Sequence, residues 1–355
     1  MPSCVGVVSM PFVLPKYSKS QVNRAGDILA DPRGRALEEW EWAGKVLANW
    51  RACHAYPINT FQALLRQKLK SIDRSAIVAQ RLKRAPSIVL KLQRFEGMQL
   101  ARMQDIGGLR AVVDSIPRVR RLEEAYRSAR FKHELVGSKD YIAEPKEDGY
   151  RSIHLIYRYS NARAPAYNGL CLELQIRTHL QHAWATAVET MGTFLGQALK
   201  SGRGEEAWRR FFTGAGAAFA VLESSAPVPG FEGRSRDGVF AEVAAAEKDL
   251  HVLDMLQGFA IAARQTTTEP GRGAYHLITL DFGRRAVQIR PYAATQLEQA
   301  SVDYAAVEER ARGGEKVDAV LVSAGPIGAL RKAYPNYFLD TQKFVQYIRR
   351  VMAEA

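Results

Sequence analysis

Three short stretches of this chain carry side chains that could act together on a charged ligand. Gln104-Asp105-Ile106-Gly107-Gly108-Leu109-Arg110 sets an acid before a Gly-Gly turn and an arginine in the strand that follows. That order can bring a metal ligand and a cation close together, although acid-plus-glycine turns are common and the pattern alone is weak. Ser138 to His154, SKDYIAEPKEDGYRSIH, holds seven ionisable side chains besides Tyr and His, and places Tyr150 straight after Gly149. It runs into an alternating segment, Ile153 to Tyr159, that reads as a strand. A glycine-hinged charged loop presenting an aromatic ring suits a flat, charged ligand; a solvated hairpin is the equal alternative, since Asp-Gly before an alternating run signals one. The third stretch, LCLELQIRT from Leu170 to Thr178, turns Leu172, Leu174 and Ile176 one way and Glu173, Gln175 and Arg177 the other. A helix predicted from Thr178 to Leu199, with His182, Trp184 and Glu189, would cover that charged face. A lone His is more often structural, so His182 takes a supporting role.

A fourth group lies upstream. Pro86-Ser87 opens a helix reaching about Phe95, with Ser87, Lys91 and Arg94 on one face and Arg81, Lys83 and Arg84 just before it. Free N–H groups and the positive end of the helix dipole, ringed by cations, make an anion site. A solvated basic helix face would read the same way.

These stretches need elements to position them. Ala36 to Ala55 has apolar residues at helical spacing, and Asn59 or Thr60 can cap a second helix running to about Ile72. Residues 16–35, broken by Pro32 and Gly34, read mainly as loop. Ala76 to Ala79 is a short apolar piece. Pro117 to Phe131 reads as a helix whose Arg118, Arg120, Arg121, Arg127 and Arg130 form a solvated or RNA-facing side. Glu205 to Leu222 reads as helix, and the Pro-, Gly- and Ser-rich run 227–238 marks a boundary. Beyond it come a helix from about Ala241 to Leu256, strands near 258–266, 274–281 and 284–290, a helix at 294–312 and a strand at Ala319–Ser323. Short helices follow around YPNYFLDTQKF and 341–353.

The 355 residues suffice for two domains, and 47% hydrophobic content is ordinary for a globular chain. No apolar run approaches the ~18 residues of a membrane span, and MPSCVGVVSMPFVLP lacks a basic leader. Three scattered cysteines, Cys4, Cys53 and Cys171, fit a reducing cytoplasm and neither a disulfide framework nor a zinc site. The net charge of +13 is lopsided. Residues 1–230 hold 34 Lys and Arg against 21 Asp and Glu, whereas residues 231–355 hold 16 of each. The basic part should attract polyanions such as nucleoside polyphosphates or RNA, though basic proteins without such partners are common.

The order of the motifs is more specific than any one of them. Arg81-x-Lys83, Ser87-Ile88 and Lys91 come first, then Gln104 to Arg110, then Lys139-Asp140-Tyr141-Ile142, Pro145-Lys146 and Gly149 to His154, then Glu173-Leu174-Gln175-Ile176-Arg177-Thr178. Over about residues 60–200 this resembles the synthetase domain of the RelA/SpoT alarmone synthetases. The resemblance implies an α/β (α+β) fold: a nucleotidyltransferase-like mixed β-sheet flanked by helices, here followed by a smaller C-terminal α+β domain. It divides the chain into an N-terminal helical segment (1–59), a pyrophosphokinase domain (60–200), a helical connector (201–256) and a regulatory or antitoxin-like domain (257–355). It implies transfer of pyrophosphate from ATP to the 3′-hydroxyl of GTP or GDP. Arg81 and Arg110 would sandwich the adenine, and Lys83 and Lys91 would hold the ATP phosphates. Asp105 and Glu173 would be the catalytic carboxylates on Mg²⁺. Tyr150 would stack on the acceptor base, with Lys146, His154, Gln175 and Arg177 as its phosphate and edge contacts.

Two departures stand out. Gly137 occupies a position that is usually charged in the family, and Glu147-Asp148 precedes Gly149 where relatives often carry Asn. No His-Asp hydrolase motif is present. Some relatives are toxins that pyrophosphorylate the 3′-CCA end of tRNA. The basic N-terminal part fits that acceptor, and the neutral C-terminal part fits a tethered antitoxin or a sensor of a phage or cellular protein. A decayed domain that only binds nucleotide or RNA is disfavoured by the presence of Asp105, Glu173 and Tyr150 together.

Overall fold

The alternating run from Cys171 to Thr178 forms the middle strand of a five-stranded sheet. The structure, a computed structural model, describes residues 12–31, 33, 36–194, 206–250, 252, 253, 256, 275–281, 284, 286–315, 317–323 and 342–355. Helices α1 (Lys19–Ala30), α2 (Leu37–Cys53) and α3 (Ala55–Ile72) come first. Then follow β1 (Ile77–Leu82), α4 (Ala85–Arg94), β2 (Gly107–Val113), α5 (Ile116–Arg127), β3 (Glu134–Asp140), β4 (Ile153–Arg158) and β5 (Cys171–Thr178). Helices α6 (His179–Phe194), α7 (Glu206–Leu222) and α8 (Arg236–Leu250) lead to a second sheet of β6 (Tyr275–Asp281), β7 (Ala286–Tyr292) and β8 (Val317–Ser323). Helix α9 (Leu297–Arg312) precedes β8, and α10 (Gln342–Ala353) comes last.

The first sheet has the order β1-β2-β5-β4-β3. Strands β2 and β5 are parallel and the other pairs antiparallel, so the mixed sheet flanked by helices is as expected. One face is apolar. Leu109, Ala111, Val113, Ile153, Leu155, Tyr157, Leu172, Leu174 and Ile176 pack there with residues of α1–α5 in one buried cluster. The period-2 pattern then forces Glu173, Gln175 and Arg177 onto the other face. A second cluster joins α6, α7 and α8 to α10, with Phe344 between Phe211, Phe212 and Phe219. The second sheet, in the order β7-β6-β8, packs on α9 through Leu277, Tyr292, Ala300, Tyr304, Val307 and Val317.

Three local expectations change. Residues 19–30 form a helix where a loop was expected. Ser18 caps it, accepting from the Gln21 N–H while the Gln21 side chain accepts from the Ser18 N–H, and Val22, Ala25, Ile28 and Leu29 are buried. The apolar piece at 76–79 extends through Leu82 as edge strand β1. Glu134–Asp140 is a strand paired with β4, so the stretch ending at His154 is a hairpin as well as a loop. The strand expected near 258–266, and most of the short helix expected around 334–344, lie outside the described residues. No described helix is long and apolar enough to cross a membrane. Replacing Ser18 by Ala should remove the capping box, cost about 1 kcal/mol and speed amide exchange in α1; unchanged exchange would show that packing alone holds this helix.

Candidate active site

Strand register brings the motifs together on the polar face. Arg81 on β1 pairs with Gly108 on β2, which pairs with Glu173 on β5. One step along, Arg110 pairs with Gln175, which pairs with His154 on β4. Paired residues point to the same side of a sheet, so Arg81, Arg110, Glu173, Gln175 and His154 share one surface.

The first half of that surface is cationic. Lys83 Nζ donates to one oxygen of Asp105 at 3.0 Å, and Lys91 Nζ to the other at 2.9 Å. The Lys83 N–H donates to the Ile106 carbonyl at 2.7 Å, fixing the Asp105 turn against the end of β1. Burial opposes the Asp105 charge, but Lys83 and Lys91 outweigh it and hold the carboxyl below its usual range. Burial also lowers the Lys83 ammonium; Asp105 works against that, while Arg81 and Lys91 add to it. Arg110 is pushed down to about 9 by burial and then by Arg177 and Arg81. Its Nε is buried without a hydrogen-bond partner. Like-charged guanidiniums crowded at a partly buried surface are stabilised by an arriving anion.

The other half is built around Tyr150. Gly149 has a φ of 89°, a left-handed value that glycine adopts without strain. Asp148 accepts from the Tyr150 N–H at 2.9 Å, the Lys146 N–H donates to the Tyr150 carbonyl at 3.2 Å, and the loop closes. The phenol oxygen lies 2.7 Å from His154 Nε2 and accepts from Arg177 Nη2 at 2.6 Å. His154 Nδ1 lies 2.8 Å from Glu173, whose other oxygen accepts from Gln175 at 2.8 Å. Lys146 Nζ sits 5.2 Å from the Tyr150 ring centre, and the Arg177 guanidinium 5.1 Å. All five expected acceptor residues therefore meet.

This network couples their titrations. Burial would raise the Tyr150 phenol, but Arg177 and His154 pull it down to about 7. Burial would raise Glu173, but His154, Gln175 and Arg81 hold it at about 2. Burial works against the His154 imidazolium, yet Tyr150 and Glu173 raise its titration above the ordinary imidazole value.

Contacts that the sequence did not announce also converge here. Glu308 of α9 accepts from the Ala85 N–H, at the start of α4, at 3.2 Å and from Arg51 Nη1 at 3.2 Å. Arg51 also donates to the Lys83 carbonyl and to the Tyr304 hydroxyl. Helix α5 is less free than its composition implied. Arg118 pairs with Asp73 and Asp114, Arg120 with Glu123 and Asp140, and Arg127 with Glu123. His182 is buried within α6.

Residues 80–192 match the family model described as a region found in RelA / SpoT proteins. Over 134 residues the chain is 36% identical to the GTP pyrophosphokinase YjbM of Bacillus subtilis, covering 34% of this chain and 63% of that protein. An uncharacterized protein of Mycobacterium tuberculosis, Rv1366, is 28% identical over 193 residues, covering 52% of this chain and 63% of that one. The chain thus spans less than two thirds of the curated relatives it matches. Among solved structures, small alarmone synthetase 1 of Bacillus subtilis bound to pppGpp aligns with 30% identity and a TM-score of 0.40, covering 47% of this chain and 90% of that one. Residues 80–192 thus match the region found in RelA / SpoT proteins.

A raised His154 stabilises the fold below the ordinary imidazole value, and that contribution fades as pH rises through the shifted one. Titration of the labelled imidazole by NMR should place His154 above an exposed histidine, and Glu173→Gln should bring it down. An unmoved value would break the link between the two groups.

Proposed function

We propose that the chain transfers the pyrophosphoryl group of ATP to the 3′-hydroxyl of GTP or GDP, releasing AMP. The observation that carries this reading is one sheet face divided between a cationic half at Asp105 and an aromatic–imidazole half at Tyr150, with Glu173 between them. The similarity to a GTP pyrophosphokinase supports it.

On this reading Arg81 and Arg110 flank the adenine, while Lys83 and Lys91 exchange Asp105 for the donor phosphates. Tyr150 stacks on the acceptor base, a contact worth about 1–3 kcal/mol per base in single-strand binding. Lys146, His154, Gln175 and Arg177 hold the acceptor's phosphates and edges. Mg²⁺ fits Asp105, in the turn leading into β2, and Glu173 on the neighbouring strand β5, two oxygen donors kept ionised. When bound, it would supply charge neutralisation on the transferring phosphates. The 3′-oxygen attacks the β-phosphorus of ATP, and the bond from that phosphorus to the α–β bridging oxygen breaks. Glu173, held at about 2, is a weak base. It accepts the hydrogen bond of the hydroxyl and takes its proton only as the new P–O bond forms. A loose transition state asks for positioning and charge stabilisation more than for a strong base.

The division of the chain belongs to the same proposal. The catalytic domain is 60–200, preceded by the helical segment 1–59 and followed by the connector 201–256 and a regulatory part, 257–355. Glu308 supports the regulatory role, since it places a carboxylate on the N–H group at the start of α4, where a donor phosphate could otherwise bind.

Label from γ-³²P-ATP should move to GDP or GTP. Movement to deacylated tRNA alone would overturn the acceptor, and movement to neither would overturn the enzyme. Asp105→Asn and Glu173→Gln should each lower transfer by about a hundredfold or more; activity within about tenfold of wild type would sink the carboxylate roles. If α9 restrains the donor site, Glu308→Gln should lower the KM for ATP by about fivefold, and an unchanged KM would remove Glu308 from regulation.

A further inference from the structure

Helix α7 lies outside the matched segment 80–192, yet it is the surface on which the Tyr150 loop rests. The two backbones touch. A Cβ at Gly216 would meet the Gly149 carbonyl oxygen at 2.7 Å and its Cα at 2.8 Å. A Cβ at Gly149 would come within 3.3 Å of the Phe212 and Thr213 carbonyls. Trp184, edge-on to the Tyr150 ring, donates its indole N–H to the Phe212 carbonyl at 2.7 Å.

Just past the end of α7, Glu223 reaches back under the same loop. Arg151 Nη1 donates to it at 2.6 Å and Gln181 Nε2 at 3.2 Å, while Thr178 Oγ1 donates to its other oxygen. The Arg151 and Glu223 side chains are 2% and 7% exposed. Residue 224, a serine at φ 50°, takes the left-handed turn that lets Ser225 reach Arg151 as well, at 2.9 Å. An L-residue there is strained, so the turn is held by what surrounds it. Arg151 follows Tyr150 and Thr178 follows Arg177. The β4–β5 register pairs Ile153 with Ile176, and its continuation sets Arg151 opposite Thr178. One buried carboxylate therefore bridges the two backbones that carry Tyr150 and Arg177. Beside this contact a cleft of about 360 Å³ opens, lined by Glu147 and Asp148 of the loop, by Trp184, and by Arg209, Arg210 and Phe212 of α7.

We propose that Glu223 is a positioning residue for the acceptor site, fixing Tyr150 against Arg177 through Arg151 and Thr178 from beyond the matched segment. The proposal rests on the reading of Tyr150 and Arg177 as acceptor contacts. It predicts an effect confined to one substrate, because none of the hydrogen bonds given above for Glu223 reaches the Asp105 half of the site.

The test measures GDP and a non-transferable ATP analogue by calorimetry on the full chain, together with KM for each substrate. Glu223→Gln should weaken GDP binding by about tenfold and leave the ATP analogue within about twofold. Thr178→Val, which removes one bond and leaves the Arg151 pair intact, should shift GDP in the same direction by less. Tyr150→Ala touches the ligand itself and should lose GDP binding. If Tyr150→Ala loses GDP while Glu223→Gln and Thr178→Val bind it normally, the positioning role is wrong and the acceptor reading stands. If Tyr150→Ala binds GDP normally, or wild type binds none, the acceptor reading fails and takes the proposal with it. An equal loss of both ligands would make Glu223 a general structural residue and overturn its positioning role.

Discussion

The constraint on which this structure depends is the burial of opposed charges on one face of a sheet whose other face is core. Strand β5 lies third in the order of five, and its even-numbered residues Leu172, Leu174 and Ile176 are among the most buried. A strand cannot bury one face without displaying the other, so Glu173, Gln175 and Arg177 must stand together on the opposite side. Left unpaired in a partly desolvated place, a single carboxylate would neutralise itself or cost several kcal/mol. The chain avoids this by giving each charge a partner: Asp105 has two lysines, Glu173 has His154 and Gln175, and Arg177 has the Tyr150 phenol and Gln175.

That solution is uneven, and the unevenness points to ligands. Burial and the like charges of Arg177 and Arg81 drive Arg110 down to about 9, with a buried Nε left over. Like charges gathered in one place cost free energy that an anion relieves. The Tyr150 half is balanced differently. Its charge sits in a chain from Glu173 through His154 and Tyr150 to Arg177, where moving one proton alters the neighbours. One half waits for negative charge, and the other holds an aromatic ring in place through a hydrogen-bonded network.

Much of this was legible in the sequence, for physical reasons that differ by residue. Alternation in LCLELQIRT is a local property, so β5 and its charged face could be read directly. The grouping of Lys83, Lys91 and Asp105 rested on the order of the motifs. Residues 19–30 were readable in principle, since Ser18 and Gln21 have capping-box spacing before Val22, Ala25 and Ile28, but Pro32 and Gly34 drew attention to the loop that follows. The arginines of α5 looked free because Asp73 and Asp140, which hold Arg118 and Arg120, come from other elements. Glu223 and Glu308 gave no signal at all. Their partners lie 72 residues away at Arg151 and 257 residues away at Arg51, and a single glutamate in a helical region carries no trace of such a contact.

Those two glutamates place the later part of the chain against both halves of the site. Glu308 on α9 meets Ala85 and Arg51 beside the Asp105 half, while α10 seats Phe344 on Phe211, Phe212 and Phe219 of α7, the helix beneath the Tyr150 loop. The two anchors differ in kind. Apolar packing around Phe344 is favourable wherever water is excluded and supplies stability. The Arg51–Glu308 pair, about nine-tenths buried on each side, must recover a desolvation cost before it contributes anything. The contact at Ala85 and Arg51 thus rests on a polar pair of small net energy, whereas the one beneath the Tyr150 loop rests on apolar packing.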